Sequence, residues 1–443
     1  MPIWNPRIET MPRVDLEQLQ LERLQATVNR IWESVPWYRR RFEQLGLVPE
    51  HIRSLDDLRL LPFTVKEDLR TGYPYDLFAV PLREVVRIHA SSGTTGTPTV
   101  GGYTKNDLRH WRELVARVLS AGGVTKDDVI QISFSYGLLT DAFGFHQGAE
   151  EIGASVIPVS AGAPEQQLSI MQDFRTTALV GTPSYALRIA ETLGERGVSR
   201  SSLHLRWGIL GSAPWPEAMR KRIEDLLGIS ATDNYNISEV MGPGVSGECQ
   251  EQRKGLHINE DHLLCEIIDP DSGEVLPPGE TGELVITTVT KEALPIIRYR
   301  TGDLTALNPE PCPCGRTLAR MARVFNRTDD MLIVGGVKIA PAQIEQVISQ
   351  VEGVEPHYRV IVDHAGGVDT LEVQVEVSAA LLTGDVRHLL STQNLLRKRL
   401  EAALGVAPEV KLVEAATLGR EEPRSQRIVD RRSTEGGDSQ GRE

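Results

Sequence analysis

Apolar residues recur at three- and four-residue spacing through Leu16, Leu19, Leu24, Val28, Ile31 and Val35. That spacing predicts a helix with one face on a core, and Pro36 ends it. Thr64-x-x-Glu67 has the form of a capping box and predicts a second helix start. From about residue 85 short apolar runs alternate with amphipathic stretches. Val129–Phe134, Ser155–Val159, Ala178–Thr182 and Trp207–Leu210 are short, mainly apolar runs that read as buried strands, and helical patterns follow Asp107 and Pro216. This βαβ rhythm predicts an α/β fold with a mainly parallel sheet covered by helices. Around residue 264 the pattern changes. LLCEIID, a turn at PDSGE and GELVITT predict antiparallel strands, hence an antiparallel subdomain. Towards the C-terminus the pattern is that of a small α+β unit. Its hairpin is Tyr358–Asp363 with Leu371–Val377 across Gly366-Gly367, followed by a helix near Val386–Leu404 and a strand in VKLVEA. The tail from Ser433 is polar and Gly-rich and is expected to be flexible.

Length and charge narrow the reading. The chain has 443 residues, 40% apolar and 25% charged, which suits a globular protein with an ample core. Its formal net charge of −13 argues against a nucleic-acid or anionic-membrane binder. No run approaches the roughly 20 apolar residues of a membrane span, and MPIWNPRIETMPR does not read as a signal peptide. A cytoplasmic protein is therefore expected. Four cysteines are too few for a disulfide scaffold and read first as metal ligands or plain thiols.

The segment richest in chemistry is Ala90-Ser-Ser-Gly-Thr-Thr-Gly-Thr-Pro98, directly after the strand-like VVRIH. Small hydroxyl and glycine residues let backbone N–H groups and Ser/Thr oxygens close on a polyphosphate. It lacks the G-K-[ST] ending of a Walker A loop.

With Gly102-Tyr-Thr-Lys-Asn-Asp107 after it, this segment resembles the adenylate-forming acyl-CoA ligases, and within them the phenylacetate–CoA ligase family. The resemblance runs in order through SYGLLT, VIPVSAG, VGTPSYAL, APWPEAMR, SEVMGPGVSGEC, HINEDH, TGELVITT, RYRTGDLT, RTDDMLIVGGVKIAP and RIVDRR, from about Trp4 to Arg432. It implies a large N-terminal domain over 1–327, a mobile C-terminal domain over 328–432 hinged near Asp329, and a tail over 433–443. The implied reaction has two steps. A carboxylate attacks the ATP α-phosphate to give an acyl-adenylate and pyrophosphate, and coenzyme A thiolate then takes the acyl group. By the same resemblance Ser91, Ser92, Gly93, Thr94, Thr95 and Gly96 would cradle phosphates, and Tyr235 would stack on adenine. Glu239 would hold Mg²⁺, Asp303 would bind the ribose hydroxyls, and Arg327 would reach the ribose or phosphates. Gly335 and Gly336 would pass close to the pantetheine arm, with Lys338 beside it. The partners implied are an aryl acid and coenzyme A, with a homodimer expected by analogy alone.

The chain departs from the pattern in three places. Arg424 stands where the family has a catalytic lysine bridging the substrate carboxylate and α-phosphate, and its planar fork is larger and differently directed. Gly335-Gly-Val-Lys-Ile-Ala-Pro341 replaces R-G-V-N-V-F-P, and Asn236 replaces a glycine. Tyr136, Leu139, Gly211, Ala213, Ile237 and Pro243 are the candidate acyl-pocket residues, by position in the family. An acid of another kind, another acceptor, or a catalytically weakened homologue remain alternatives. Finally, Cys312-Pro-Cys314-Gly315 is a tight C-x-C turn that can aim both thiolates at one point. Cys249 and His257, at a spacing some family members use, would complete a structural zinc site, with His262 as the alternative histidine and Cys265 read as core.

Overall fold

The computed structural model describes residues 2–91, 97–328, 332–334, 337–339, 341–365, 368–382, 386–418 and 427–431. The chain divides into two compact units, Met1–Val324 and Phe325–Glu443.

The first unit opens with a short helix, Pro6–Glu9, followed by the predicted one, Arg13–Ser34, whose Leu16, Leu24, Val28 and Ile31 are fully buried. Pro36 does end it, and also starts the next helix, Pro36–Gln44, where its missing N–H costs nothing. The Thr64/Glu67 capping box does not form. Asp68 caps the helix Lys66–Thr71 by accepting from Val65 N at 2.8 Å. The Thr64 hydroxyl is buried and donates instead to the Ile297 carbonyl at 2.6 Å. A buried hydroxyl needs a partner wherever the fold offers one, and here that partner is far away in sequence.

The strands are β1 (Arg87–Ala90), β2 (Val100–Tyr103), β3 (Val129–Ile132), β4 (Ser155–Ile157), β5 (Ala178–Gly181), β6 (Trp207–Gly211), β7 (Ser230–Ile237), β8 (Gly242–Glu248), β9 (Leu256–Ile258), β10 (Leu263–Ile268), β11 (Thr281–Thr288), β12 (Tyr299–Asn308) and β13 (Arg320–Met321). β1 and β2 form an antiparallel pair of their own. The main sheet runs β10-β11-β12-β13-β9-β8-β7-β6-β5-β3-β4. It is parallel from β4 to β7 and antiparallel from β7 to β10. The all-apolar runs acquire a physical reason. Val180 and Ile209 face one core with Trp111 and Phe145, whereas Leu179 and Leu210 face a second with Ile189 and Ile223. Side chains alternate across the sheet, so a strand covered on both sides is apolar on successive residues except where a buried polar group finds a partner, as Gln131 does on β3.

The second unit holds a four-stranded sheet in the order Glu409–Glu414, Val368–Val377, Val354–Ala365, Ile428–Asp430. The expected hairpin is its antiparallel centre, with Gly366-Gly367 outside the described residues. The helix Val386–Leu404 packs on it through Leu396, Leu400 and Leu404. The tail from Ser433 is also outside the described residues, and among those described no helix is long and apolar enough to cross a membrane.

Candidate functional site

The loop between β1 and β2 is closed at its base. Ser91 N donates to the Thr99 carbonyl and Thr99 N to Ser91 Oγ, each at 2.9 Å. Ser92, Gly93, Thr94, Thr95 and Gly96 lie outside the described residues. Directly against this base stands Glu239, in the turn from β7 to β8. Its Oε1 accepts from the Thr99 hydroxyl at 3.4 Å and pairs with Lys66 Nζ at 3.5 Å. A narrow crevice lined by His89, Ser91, Thr99, Thr140, Ser238 and Glu239 joins them.

Tyr235 and Asp303 meet across the sheet. Tyr235, on β7, donates its hydroxyl to Asp303 Oδ2 at 2.5 Å. Asp303, on β12, is buried, and its N–H donates to Thr301 Oγ1 at 3.0 Å. Glu283 on the neighbouring strand accepts from Gly302 N at 3.1 Å and from the Arg300 guanidinium, fixing the backbone just before Asp303. Gly302 has φ +76°, which a side chain would resist. The site thus presents an aromatic ring, an acceptor carboxylate and a second carboxylate at a loop base rich in small residues. Arg327 lies on Asn326–Arg327 in the second unit, and Lys338 on the strand Val337–Ile339. Gly335, Gly336 and Arg424 lie outside the described residues, as does Asp329.

The acyl-pocket candidates come from three segments tied by one polar knot. Asp141 Oδ1 accepts from Ser212 Oγ at 2.6 Å and from Asn236 Nδ2 at 3.0 Å, while Asn236 Nδ2 also donates to Ser212 Oγ at 2.8 Å. Gly211, Ala213 and Ile237 flank this knot in sequence. Ser212 sits at φ +63°, a strained value for a residue with a Cβ. A Cβ on Gly211 would lie 2.4 Å from the Asn234 carbonyl, so only glycine fits there. Tyr136 packs edge-on to Phe143 at 5.3 Å, and its hydroxyl lies 3.0 Å from His146 Nδ1. Burial pushes that phenol up to about 12. Leu139 is exposed. Pro243 is buried behind the turn, where a Cβ on Gly144 would meet its ring at 2.3 Å.

Cys249, His257, Cys312 and Cys314 converge, with their ligand atoms all within 4.8 Å of one another. Cys249 Sγ is 3.9 Å from Cys312 Sγ, and Cys314 Sγ is 3.6 Å from His257 Nε2. A tetrahedral centre with metal–sulfur bonds of about 2.3 Å sets its sulfurs roughly 3.8 Å apart, so the four residues fit such an ion. Reciprocal bonds make the knuckle: Cys312 N donates to the Arg316 carbonyl and Gly315 N to the Cys312 carbonyl, each at 2.9 Å. Hydrogen bonding from Cys249, then from His257 and Arg316, holds the Cys314 thiol well below its ordinary range, and donation to Cys314 raises Cys249. His262 is otherwise engaged, with Nδ1 2.7 Å from Thr290 Oγ1 and Nε2 3.1 Å from Asp261 Oδ2. Cys265 lies apart on β10, its thiol raised by burial.

Residues 53–290 match the family model described as AMP-binding enzyme, and residues 336–432 match that of the AMP-binding enzyme C-terminal domain. The chain belongs to the AMP-binding enzymes. It is 46% identical to the phenylacetate-coenzyme A ligase of Thermus thermophilus over 443 residues, covering 97% of this chain and 100% of that one. It is also 46% identical to that of Escherichia coli K12, over 97% and 98%. Among solved structures it resembles a 2-hydroxyisobutyryl-CoA ligase in the postadenylation state. There the TM-score is 0.88 at 28% identity, over 97% of this chain and 92% of that one. Against the same ligase in its thioesterification state the TM-score is 0.72, over 96% and 92%.

In this AMP-binding enzyme, several site residues carried no signal in the sequence. Lys66 reads as an ordinary charge in a helix start, yet its ammonium is the cation nearest Glu239 among the described ion pairs. Asp141 and Ser212 emerge only once the polar knot closes. Arg316 follows the cysteine knuckle; its guanidinium donates to Cys314 Sγ at 3.6 Å and to the buried Glu9 carboxylate at 2.6 Å. A Cys-x-Cys-Gly-Arg run could have flagged Arg316 as a counter-charge to thiolates, but nothing flags its partner in the first helix.

Proposed function

We propose that this chain is an ATP-dependent, AMP-forming acid–thiol ligase that activates a phenylacetate-like aromatic acid and transfers it to coenzyme A. The observation that carries the reading is the 46% identity to phenylacetate-coenzyme A ligases across nearly the whole of both chains. The likeness to a CoA ligase solved with an acyl-AMP agrees with it.

The geometry supports a role for each group. The Tyr235 ring offers an adenine platform at β7, and Asp303 is an acceptor for ribose hydroxyls, already oriented by its bond from Tyr235. Glu239, at the base of the hydroxyl-rich loop, would hold Mg²⁺, which would supply charge neutralisation on the phosphates. The acid carboxylate oxygen forms a bond to the α-phosphorus as pyrophosphate leaves. The thiolate sulfur then bonds to the acyl carbon and AMP departs with the electron pair. Between the two, the C-terminal domain over 328–432 would turn about a hinge at Asp329. Arg424 would support adenylation slowly, as a forked cation in place of a point charge. Cys249, His257, Cys312 and Cys314 would hold a structural Zn²⁺, with no position left open for catalysis.

Pyrophosphate release across aromatic and aliphatic acids, with and without coenzyme A, tests this. Phenylacetate-like acids are expected to give the fastest release, with AMP appearing only when coenzyme A is present. Release with aliphatic acids alone would overturn the aryl assignment, and AMP without coenzyme A would point to another acceptor. Arg424→Lys should speed ATP–pyrophosphate exchange, and an unchanged rate would remove the role given to Arg424.

A further inference from the structure

Between β7, ending at Ile237, and β8, starting at Gly242, the ladder stops and the turn bearing Glu239 must find other partners for its backbone. Two buried side chains supply them, and a third holds the start of β8. Lys291 Nζ donates to the Val240 carbonyl at 3.1 Å, the Tyr103 hydroxyl to the Met241 carbonyl at 3.0 Å, and Trp111 Nε1 to the Pro243 carbonyl at 2.6 Å. The three are one assembly. The Tyr103 and Trp111 rings stack at 4.9 Å, and the Lys291 ammonium lies 3.7 Å from the Tyr103 ring centroid. Lys291 is only 2% exposed, an expensive position for an ammonium. Burial draws it down to about 8.

The segment carrying Lys291 is itself pinned. Asp107, fully buried, accepts from Glu292 N at 2.7 Å and Ala293 N at 3.0 Å. The Glu292 carboxylate accepts from Thr104 Oγ1 at 2.7 Å and Asn106 Nδ2 at 2.9 Å. The run Gly102-Tyr-Thr-Lys-Asn-Asp107, which the phosphate loop does not account for, thus holds Lys291 in place and contributes Tyr103 directly. β2 ends in this run, so the loop base and the Glu239 turn share one support.

We propose that Lys291 is a positioning residue for Glu239: its buried ammonium, seated on the Tyr103 ring and carried by a segment that Asp107 pins, fixes the Glu239–Val240 turn against the loop base and so sets how the site takes up a divalent cation with ATP. This rests on the ligase reading above. Displacing a catalytic group by about 1 Å costs on the order of 100-fold.

The test is acid-dependent pyrophosphate release titrated with Mg²⁺ at fixed ATP, with Mn²⁺ binding in the presence of ATP and absence of acid followed alongside by electron paramagnetic resonance and expected to weaken in step, for wild type, Lys291→Met, Lys291→Arg, Glu239→Gln and the Lys291→Met/Glu239→Gln double variant. Lys291→Met, similar in length but without donors, is expected to lower kcat by about 10- to 100-fold. It should also raise the half-saturating Mg²⁺ several-fold while leaving KM for coenzyme A unchanged, and Lys291→Arg should recover most of the rate. In the Glu239→Gln background the same substitution should add less than about twofold, because both act through one carboxylate. A wild-type Mg²⁺ dependence in Lys291→Met, or losses that simply multiply in the double variant, would overturn the proposal. Should Lys291→Met fail to fold, Tyr103→Phe decides. It keeps the ring under the ammonium, drops the bond to Met241, and must shift the Mg²⁺ dependence the same way. Wild type inactive with every acid would instead sink the ligase reading itself.

Discussion

Replacing Asp261 with Asn perturbs a heavily charged buried knot in the first unit. Arg117 and Asp261, with side chains 3% and 1% exposed, are joined twice, at 2.7 and 3.2 Å. Arg117 also donates to Glu113 at 2.7 Å, and Arg23 of the first long helix donates to the Asp261 backbone carbonyl. Asn keeps the shape but removes the charge. Arg117 would then be left with the half-buried Glu113 as its nearest carboxylate, and such breaks cost about 3–5 kcal/mol. For a cooperative unit spanning Met1–Val324 the unfolding entropy is roughly 0.7 kcal/mol/K, so melting should fall by about 4–7 °C. The pH dependence checks the origin. Burial alone would raise the Asp261 carboxyl, but His262 and Arg117 overcome it and hold the group far below its ordinary range. A folded-state pKa depressed in this way gives stability that is complete above the unfolded value of about 4 and is lost as pH falls below it. The gap between wild type and variant should therefore be full at pH 7 and narrow by about 1.4 kcal/mol per unit below pH 4. Calorimetry at pH 7, 5 and 3.5 measures both. Melting within 1 °C of wild type at neutral pH, or a gap that widens in acid, would refute the reasoning.

Three further outcomes follow from the site. Cys312→Ser removes one of four convergent ligands, so elemental analysis of protein purified without added metal should show zinc falling from near one equivalent to well below half. Gly144→Ala drives a Cβ to 2.3 Å from Pro243 and 2.7 Å from Trp111; overpacking of this kind costs about 1–3 kcal/mol, visible as a lower urea midpoint, and should also slow turnover by shifting the Glu239 turn. Asn236→Gly removes two donors from the Asp141–Ser212 knot, and the loss of about 1 kcal/mol should change KM for the acid by roughly fivefold while leaving KM for ATP alone, by steady-state kinetics.

What the sequence made legible was what local pattern controls. Ile209 and Leu210 point into different cores, and that is why Trp207–Leu210 reads as an unbroken apolar run and was recognisable as a strand. The hairpin Val354–Ala365 with Val368–Val377 follows from the same alternation and a Gly-Gly break. Illegible were the pairings that join distant segments. The choice between His257 and His262 turns on which ring folds towards Cys314, and five residues of sequence separation say nothing about that. Glu9 and Arg316 form a buried ion pair 307 residues apart. Thr64 looked like a helix cap because its chain neighbours fit the pattern, but the competing acceptor, the Ile297 carbonyl, lies 233 residues away. Nothing in the sequence around Lys291 marks it as the buried ammonium that meets Val240 and Tyr103.

The candidate residues gather where they do for a topological reason. β7 is the strand at which the sheet changes sense: it lies parallel to β6 and antiparallel to β8. In open α/β sheets the crevice beyond the carboxyl ends of the strands, at such a switch, is where loops diverge and leave room for a ligand. Tyr235, Asn236, Ile237 and Glu239 all lie at or just past the carboxyl end of β7, Gly211 and Ala213 at that of β6, and Tyr136 beyond that of β3. The antiparallel half then brings Asp303 on β12 to within hydrogen-bond distance of Tyr235. A ladder that ends here also leaves backbone carbonyls without strand partners, at Val240 and Met241. The opening at this switch is therefore the same break in pairing that requires Lys291 and Tyr103 beneath it. That is the physical ground for expecting changes in these two buried residues to be felt first in the chemistry and only second in the fold.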